Sequence, residues 1–409
     1  MDKKSVNWVE KARPYAKKVL AGGGVIIAVV LIFTAGVAVG NGQIVISKVS
    51  PSSSNKDLPN QLNYTEINEL YSALKSGYDG KLDQKKLIEG MKQGMVSAAG
   101  DPYTEYMDAA QAKDFSEQLS GSFTGIGAEL GQDNDKNLIV VAPISGFPAD
   151  KAGVRAQDMI LAIDGKSTKG MSVDEAVKLI RGPKDTQVKL DIMRNANERE
   201  SLSITRDDIK IPSVKTEVLD GNIGYMQITQ FGGDTADLAH KAAREFKDQG
   251  VEKVIVDVRD NPGGLLDASV QIASLWLKPG TTILQEKRDG KVLETYKADG
   301  DPLLKGIPTV VLLNKGSASA SEILAGALKD NKAATLMGEK SYGKGSVQQI
   351  QSLSDGELKV TVARWYRPNG QNIDKKGIEP DKTVPMTEDD YKNDLDPQKD
   401  AAAAYLQGQ

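Results

Sequence analysis

From about residue 63 to 119, apolar side chains recur every three or four positions: Leu70, Leu74, Leu82, Leu87, Ile88, Met91 and Met95. That is the period of a helix with one buried face. Gly100-Asp101-Pro102 interrupts it, and the pattern predicts a second short helix over about 109–119. Between 121 and 206 the rhythm shortens. Apolar runs at 126–130, 138–142, 159–163 and 188–193 predict strands. One helix intervenes, from Ser172 to Arg181, where Ser172 and Glu175 spell a capping box and Gly182-Pro183 ends the run.

From 207 onward the two patterns alternate. Strands are predicted at 223–229, 254–258, 308–313, 334–337, 347–353 and 358–366. Helices are predicted at 235–249, 265–277 and 320–329. Alternation of this kind implies an α/β layer with helices packed on the sheet. The expected organisation is a helical region (63–119), a compact mixed domain (120–206), an α/β core (207–385) and a C-terminal tail (386–409) with no assigned role.

The N-terminal end is different. Residues 19–39 hold no charged side chain, and 21 residues is enough to span a bilayer's hydrocarbon core. Residues 1–18 form a basic tail, in which Lys3, Lys4, Lys11, Arg13, Lys17 and Lys18 outnumber Asp2 and Glu10. Basic residues before the span predict a cytoplasmic N-terminus, a single-pass anchor over 19–40 and everything beyond it on the outer side of the membrane. A cleaved signal peptide is the rival reading, with Gly36-Val37-Ala38 as its small-residue site. Residues 41–62, rich in Ser, Asn, Pro and Lys, read as a linker.

Composition narrows the chemistry. Among 409 residues there is no Cys and one His, His240. Cysteine nucleophiles, thiolate metal sites and zinc sites with several His ligands are excluded. The net charge of −4 hides a basic first forty residues, so the remainder is acidic and carries no footprint for nucleic acid. His240 falls on the flank of the apolar stripe Ala236, Ala239, Ala242, Ala243 and Phe246, a surface helix position with no catalytic part.

Three segments stand out. Asn314-Lys315-Gly316-Ser317-Ala318-Ser319-Ala320-Ser321-Glu322 joins an apolar strand to an amphipathic helix. A serine there has its hydroxyl beside unpaired backbone N–H groups that can hold an oxyanion. Ser319 with Glu322 equally spells a capping box, and on this segment alone the two readings stand side by side. Gly338-Glu339-Lys340-Ser341-Tyr342-Gly343-Lys344-Gly345 is nearly a phosphate-binding loop. It lacks the hydroxyl after the lysine and the following helix, so no nucleotide is implied. A lysine between glycines can instead be pushed into a cleft, lose hydration and act as a neutral base. Asp257-Val258-Arg259-Asp260-Asn261-Pro262-Gly263-Gly264 follows a strand and can present glycine N–H groups to a ligand, or simply turn the chain.

Together these segments resemble the carboxyl-terminal processing proteases, the tail-specific S41 peptidases. The resemblance runs from about 63 to 385. It implies a crotonase/ClpP-like α/β protease core with an inserted PDZ domain, and no metal or cofactor. It implies Ser319 as nucleophile, Lys344 as general base and Gln348 as the residue orienting the lysine. It also implies an oxyanion hole from Ala320 N–H and one N–H of Gly263 or Gly264. Asp260 stands where many members have Asn. Residues 122–127, with Phe123, Thr124, Gly125, Ile126 and Gly127, are similar to a PDZ carboxylate-binding loop. Arg181 matches an arginine that links substrate capture to the active site in relatives, and it also suits a helix C-terminus. The implied partners are protein substrates held by their C-terminal tails, with a homodimer through the helical region. A catalytically inactive PDZ scaffold and a crotonase-type acyl-CoA enzyme on the same core are the alternatives.

Overall fold

The computed structural model describes residues 55, 57–59, 61–133, 135–195, 197–393 and 395–408. The chain divides into two units, Met1–Tyr64 and Thr65–Gln409. The basic tail (1–18), the apolar span at 19–39, its cleavage alternative and most of the linker lie outside the described residues. Among the described residues no helix is long and apolar enough to cross a membrane.

The second unit opens with helices α1 (Thr65–Gly77) and α2 (Gln84–Ser97). The Asp83 carboxylate caps α2 by accepting from the Lys85 and Lys86 amides. Neither helix buries a residue: of the predicted stripe, Leu70, Ile88, Met91 and Met95 are exposed and Leu74, Leu82 and Leu87 are half-buried in a single chain. Strand β1 (Glu105–Asp108) precedes helix α3 (Ala109–Ser120), where the sequence pattern predicted helix alone. Its reason is a distant partner: Glu105 pairs opposite Lys359, and local periodicity is blind to such a contact.

The chain then enters a middle domain through β2 (Ser122–Gly125). Next come β3 (Ala128–Gln132), β4 (Leu138–Pro143), α4 (Pro148–Lys151), β5 (Met159–Ile163) and β6 (Lys166–Ser167). Helix α5 (Val173–Ile180), β7 (Gln187–Arg194) and β8 (Glu198–Thr205) follow, and the chain leaves by β9 (Asp207–Lys210). β2 and β9 pair antiparallel, Ser122 opposite Lys210, so entry and exit form one stem. The sheet order is β3-β4-β5-β7-β8, with β3 at the edge. The capping box of α5 forms: Glu175 N–H donates to Ser172 Oγ (3.3 Å), and Ser172 N–H donates to Glu175 Oε2 (2.9 Å). A separate core around Val140, Val188, Leu190 and Ile192 holds this domain together.

The remaining chain runs through β10 (Val214–Leu219), β11 (Ile223–Ile228), α6 (Thr235–Asp248), β12 (Lys253–Asp257) and α7 (Leu266–Ala273). It continues with β13 (Thr282–Arg288), β14 (Lys291–Lys297), β15 (Thr309–Leu313), α8 (Ala320–Asp330) and β16 (Thr335–Gly338). Last are β17 (Ser346–Leu353), β18 (Gly356–Tyr366), β19 (Lys382–Thr383), α9 (Glu388–Lys392) and α10 (Pro397–Gln407). One sheet has the order β10-β11-β12-β15-β16-β19, parallel from β11 onward. Its side chains alternate. Val254, Val256, Val311 and Leu313 face α6, α7 and α8, while Ile255, Val310 and Leu312 face α10. Residues 386–409, expected to be a tail without a role, therefore supply the helix that covers the second face through Ala402 and Leu406. A second sheet, β1-β18-β13-β14 with β17 on β18, stands beside the first. Both loops and helices of the site leave the carboxyl ends of β12, β15 and β16, adjacent parallel strands, which is where open α/β sheets place their ligands.

Candidate active site

Ser319 occupies the turn between β15 and α8 with φ +52° and ψ −112°. A non-glycine residue pays for such a backbone with strain, held here by the surrounding bonds. Ser317 Oγ donates to the Val258 carbonyl (2.7 Å), Ala318 N–H to the Asn261 carbonyl (3.0 Å) and Ser321 Oγ to the same carbonyl (2.9 Å). Asn314 and Asp260 exchange two more bonds of 2.9 Å. Asp260 itself has φ +56°, a region Asp and Asn tolerate better than most residues. The Ser319 turn and the loop after β12 are thus one stapled body.

Glu322, three residues into α8, is fully buried and anchors the other side. Its Oε1 accepts from Ser341 Oγ (2.6 Å) and Gly343 N–H (2.8 Å). Its Oε2 accepts from Ser319 N–H (2.9 Å) and Lys344 N–H (2.9 Å). Burial pushes this carboxyl above its ordinary range, and the four donors hold it down in the charged direction. The sequence signal for Glu322 was only the capping-box spacing. The carboxylate in fact bridges Ser319 to the lysine loop.

Lys344 is held by its backbone as well. Its carbonyl accepts from the Trp365 indole N–H (3.0 Å). Gly343 has φ +97°, and a Cβ there would come within 2.7 Å of the Gly377 nitrogen. A Cβ on Gly345 would come within 2.6 Å of the Asp374 nitrogen. Both glycines are therefore required by the close approach of the 374–377 turn. Burial lowers the Lys344 amine below its ordinary value, with Lys359 adding repulsion, while Asp101 and Glu322 act the other way.

Ser319, Lys344 and Gln348 line one cleft of about 360 Å³ with Gly263, Gly264 and Lys359. No hydrogen bond joins Ser319 Oγ to Lys344 Nζ. The Lys344 nitrogen lies 5.0 Å from the centre of the Tyr103 ring. Gln348 Nε2 donates to Ser346 Oγ (2.8 Å) and Thr361 Oγ1 (3.2 Å), which anchors the amide beside the lysine through its donor end. The two glycines differ. Gly263 N–H donates to Asn261 Oδ1 (2.9 Å), whereas the flanking bonds Phe231 N–H to Gly263 O and Leu265 N–H to Phe231 O leave the Gly264 amide out. A Cβ on Gly264 would lie 2.2 Å from the Phe231 oxygen, and Gly264 has φ +142°. Ala320 is the first residue of α8, where the amide has no intrahelical partner.

In the middle domain, Phe123, Thr124 and Gly125 belong to strand β2, and only Ile126 and Gly127 lie beyond its pairing with β9. Arg181 is the C-cap residue of α5. Its guanidinium lies 4.6 Å over the Phe123 ring and 3.9 Å from the Glu117 carboxylate on α3. Phe115 and Leu119 of the same helix line the cleft. Asn261, Tyr103 and Lys359 also went unassigned in the sequence, because nothing local says that residues so far apart meet.

The sequence matches three family models. One is described as peptidase family S41 and covers residues 222–384. A PDZ domain model covers 139–194, and an "activating protease CtpB N-terminal domain" covers 25–111. A carboxy-terminal processing protease of Bacillus subtilis (strain 168), CtpA, is 41% identical over 342 residues, which is 83% of this chain and 72% of that protein. A "Probable CtpA-like serine protease" of Staphylococcus aureus (strain MSSA476) is 39% identical over 327 residues, which is 79% of this chain and 65% of that protein. A solved structure from Bacteroides fragilis, described as an S41 protease, is similar with a TM-score of 0.54 at 16% identity, over 86% of this chain and 99% of that one. That likeness concerns the fold alone.

Proposed function

The chain belongs to peptidase family S41, and from that premise we propose that it is a serine endopeptidase of the carboxy-terminal processing type working through Ser319 and Lys344. The observation that carries this reading is the shared cleft. A serine on a strained turn at a helix N-terminus opens into the same space as a lysine whose burial favours the neutral amine.

Lys344, neutral, takes the proton of Ser319 as Oγ attacks the substrate's peptide carbonyl. The oxyanion is held by the N–H groups of Ala320 and Gly264, Gly263 N–H being engaged with Asn261. Collapse breaks the C–N bond, and the Lys344 ammonium returns its proton to the leaving amine. Water, deprotonated in turn by Lys344, then splits the ester and restores Ser319. Gln348, whose Nε2 is anchored on Ser346 and Thr361, keeps its Oε1 as the acceptor with which it would orient the Lys344 amine.

The core is read as crotonase/ClpP-like, and the PDZ domain as the tail receptor. A substrate C-terminus would add to the free edge of β3, beside α5, with its carboxylate at the Ile126 and Gly127 amides. The basic N-terminal segment and apolar span would tether the enzyme to a bacterial membrane with its catalytic part outside. The exposed apolar faces of α1 and α2 suit a second copy of the chain, giving a homodimer. Incubating an unstructured protein with an apolar C-terminus tests the reading: the wild type cleaves it and Ser319→Ala does not. Equal cleavage by both refutes the assignment.

A further inference from the structure

The loop between α2 and β1 approaches the lysine from outside the protease core. Thr104 Oγ1 donates to Asp101 Oδ2 (2.6 Å) and Tyr103 N–H to Asp101 Oδ1 (3.4 Å), so the loop is internally braced. It is also pinned to β18, whose Thr361 N–H donates to Thr104 Oγ1 (3.1 Å), and β1 itself pairs with that strand. This double anchorage fixes the Tyr103 ring over the Lys344 nitrogen, 5.0 Å from the ring centre.

We propose that Tyr103, supplied by the N-terminal helical region, is a positioning residue for the base: its ring face seats the Lys344 ammonium. The proposal rests on the reading of Lys344 as base. An ammonium within about 6 Å of an aromatic centre is attracted by the ring's negative face, more strongly where water is excluded. Burial, with Tyr342 and Asp374 beside it, pushes the Tyr103 phenol up to about 12, so it stays neutral and acts through its face. The other charges around the amine are accounted for. Lys359 disfavours the ammonium and is itself paired with Glu105 at 2.7 Å. Asp101, near Arg364, and Glu322 favour it. Lys344 must carry the serine's proton in every turnover. A seat for the charged form therefore strengthens the base, and the loop between α2 and β1 is part of the active centre.

The sign of the effect is fixed. An aromatic face favours the charged amine, so weakening it lowers the pH at which Lys344 becomes neutral. It also weakens the base once neutral. The test uses the full chain and the pH dependence of kcat/KM on an unstructured peptide. Tyr103→Phe keeps the face and leaves the acid limb in place. Phenylalanines carrying one, two and three ring fluorines at position 103 keep the shape and remove the negative face stepwise. They are expected to move the limb to lower pH by roughly half to one unit in total, with a falling plateau. Tyr103→Leu is expected to behave like the trifluoro ring. A limb that stays fixed across the fluorinated series overturns the proposal, as does an equal shift in Tyr103→Phe. Lys344→Ala separates the premise. If it still cleaves with the wild-type limb, the base assignment fails. If it is inactive while the fluorinated series leaves the limb unmoved, only the aromatic seat fails.

Discussion

Glu322 is the residue on which both partners depend, because one buried carboxylate accepts from the backbone of Ser319 and of Lys344. Glu322→Gln would put an NH2 group against the Ser319 and Lys344 amides in one orientation, or against the Gly343 amide and the Ser341 hydroxyl in the other. Leaving buried donors unsatisfied costs about 1–3 kcal/mol, seen as a lower urea midpoint. Misplacing reacting groups by about 1 Å costs on the order of a hundredfold in rate, so kcat should fall at least tenfold. A variant with wild-type kcat would show that the carboxylate does not align the pair. Lys344 gives a second residue-scale prediction. Burial and Lys359 hold its amine below the ordinary lysine value of 10.5. Only the neutral form accepts a proton, so kcat/KM should rise about tenfold per pH unit and level off below that value. A rate that is flat with pH while chemistry limits turnover would remove the lysine from the mechanism.

At the scale of elements, α10 is tied to the catalytic loop by one network. Arg259 donates to both oxygens of Asp396 (2.7 Å each), to Gln398 Oε1 (3.0 Å) and to Asp257, which also accepts from Tyr225 (2.7 Å). Arg259 precedes Asn261 by two residues, so the ion pair braces the loop that carries Gly264. Asp396→Ala should cost roughly 1–3 kcal/mol, discounted for partial exposure, and lower kcat several-fold with KM little changed. Unchanged stability and kcat would mean that α10 is only a cover. This element was the least legible in sequence. Its Ala-rich run carries almost no periodic signal, and burial is decided by the sheet face it meets. β1 and β9 were hidden for a related reason, since each is a strand only by virtue of a distant partner. In the core, β11, β12 and β15 were legible as apolar runs and α6 and α8 by their apolar stripes, whereas the hairpin of β13 and β14 was not predicted because its residues are mixed polar and apolar. Element edges were less legible: helix 265–277 was expected, and α7 ends at Ala273. The Ser319 and Lys344 segments were legible through their glycine and serine spacing. Glu322 looked like an ordinary cap because its second pair of donors comes from Ser341 and Gly343.

For the whole molecule, the question is how the PDZ domain and the cleft communicate. Arg181 ends α5, stacks on Phe123 of the stem and faces Glu117 of α3, the helix whose Phe115 and Leu119 wall the cleft. A substrate tail beside α5 would press on this contact. Arg181→Ala should lower kcat/KM for tailed proteins roughly five- to a hundredfold while sparing short peptides that reach only the cleft. Equal losses on both substrates would place Arg181 in local packing instead.

Single-turnover cleavage of an unstructured, apolar-tailed substrate, followed by mass spectrometry of the intact enzyme, tests the proposed chemistry most directly. The account predicts a transient ester adduct confined to the peptide containing Ser319 in the wild type. No adduct and no product are expected in Ser319→Ala or Lys344→Ala. Product formed at the wild-type rate by either variant, or an adduct on another residue, would contradict it.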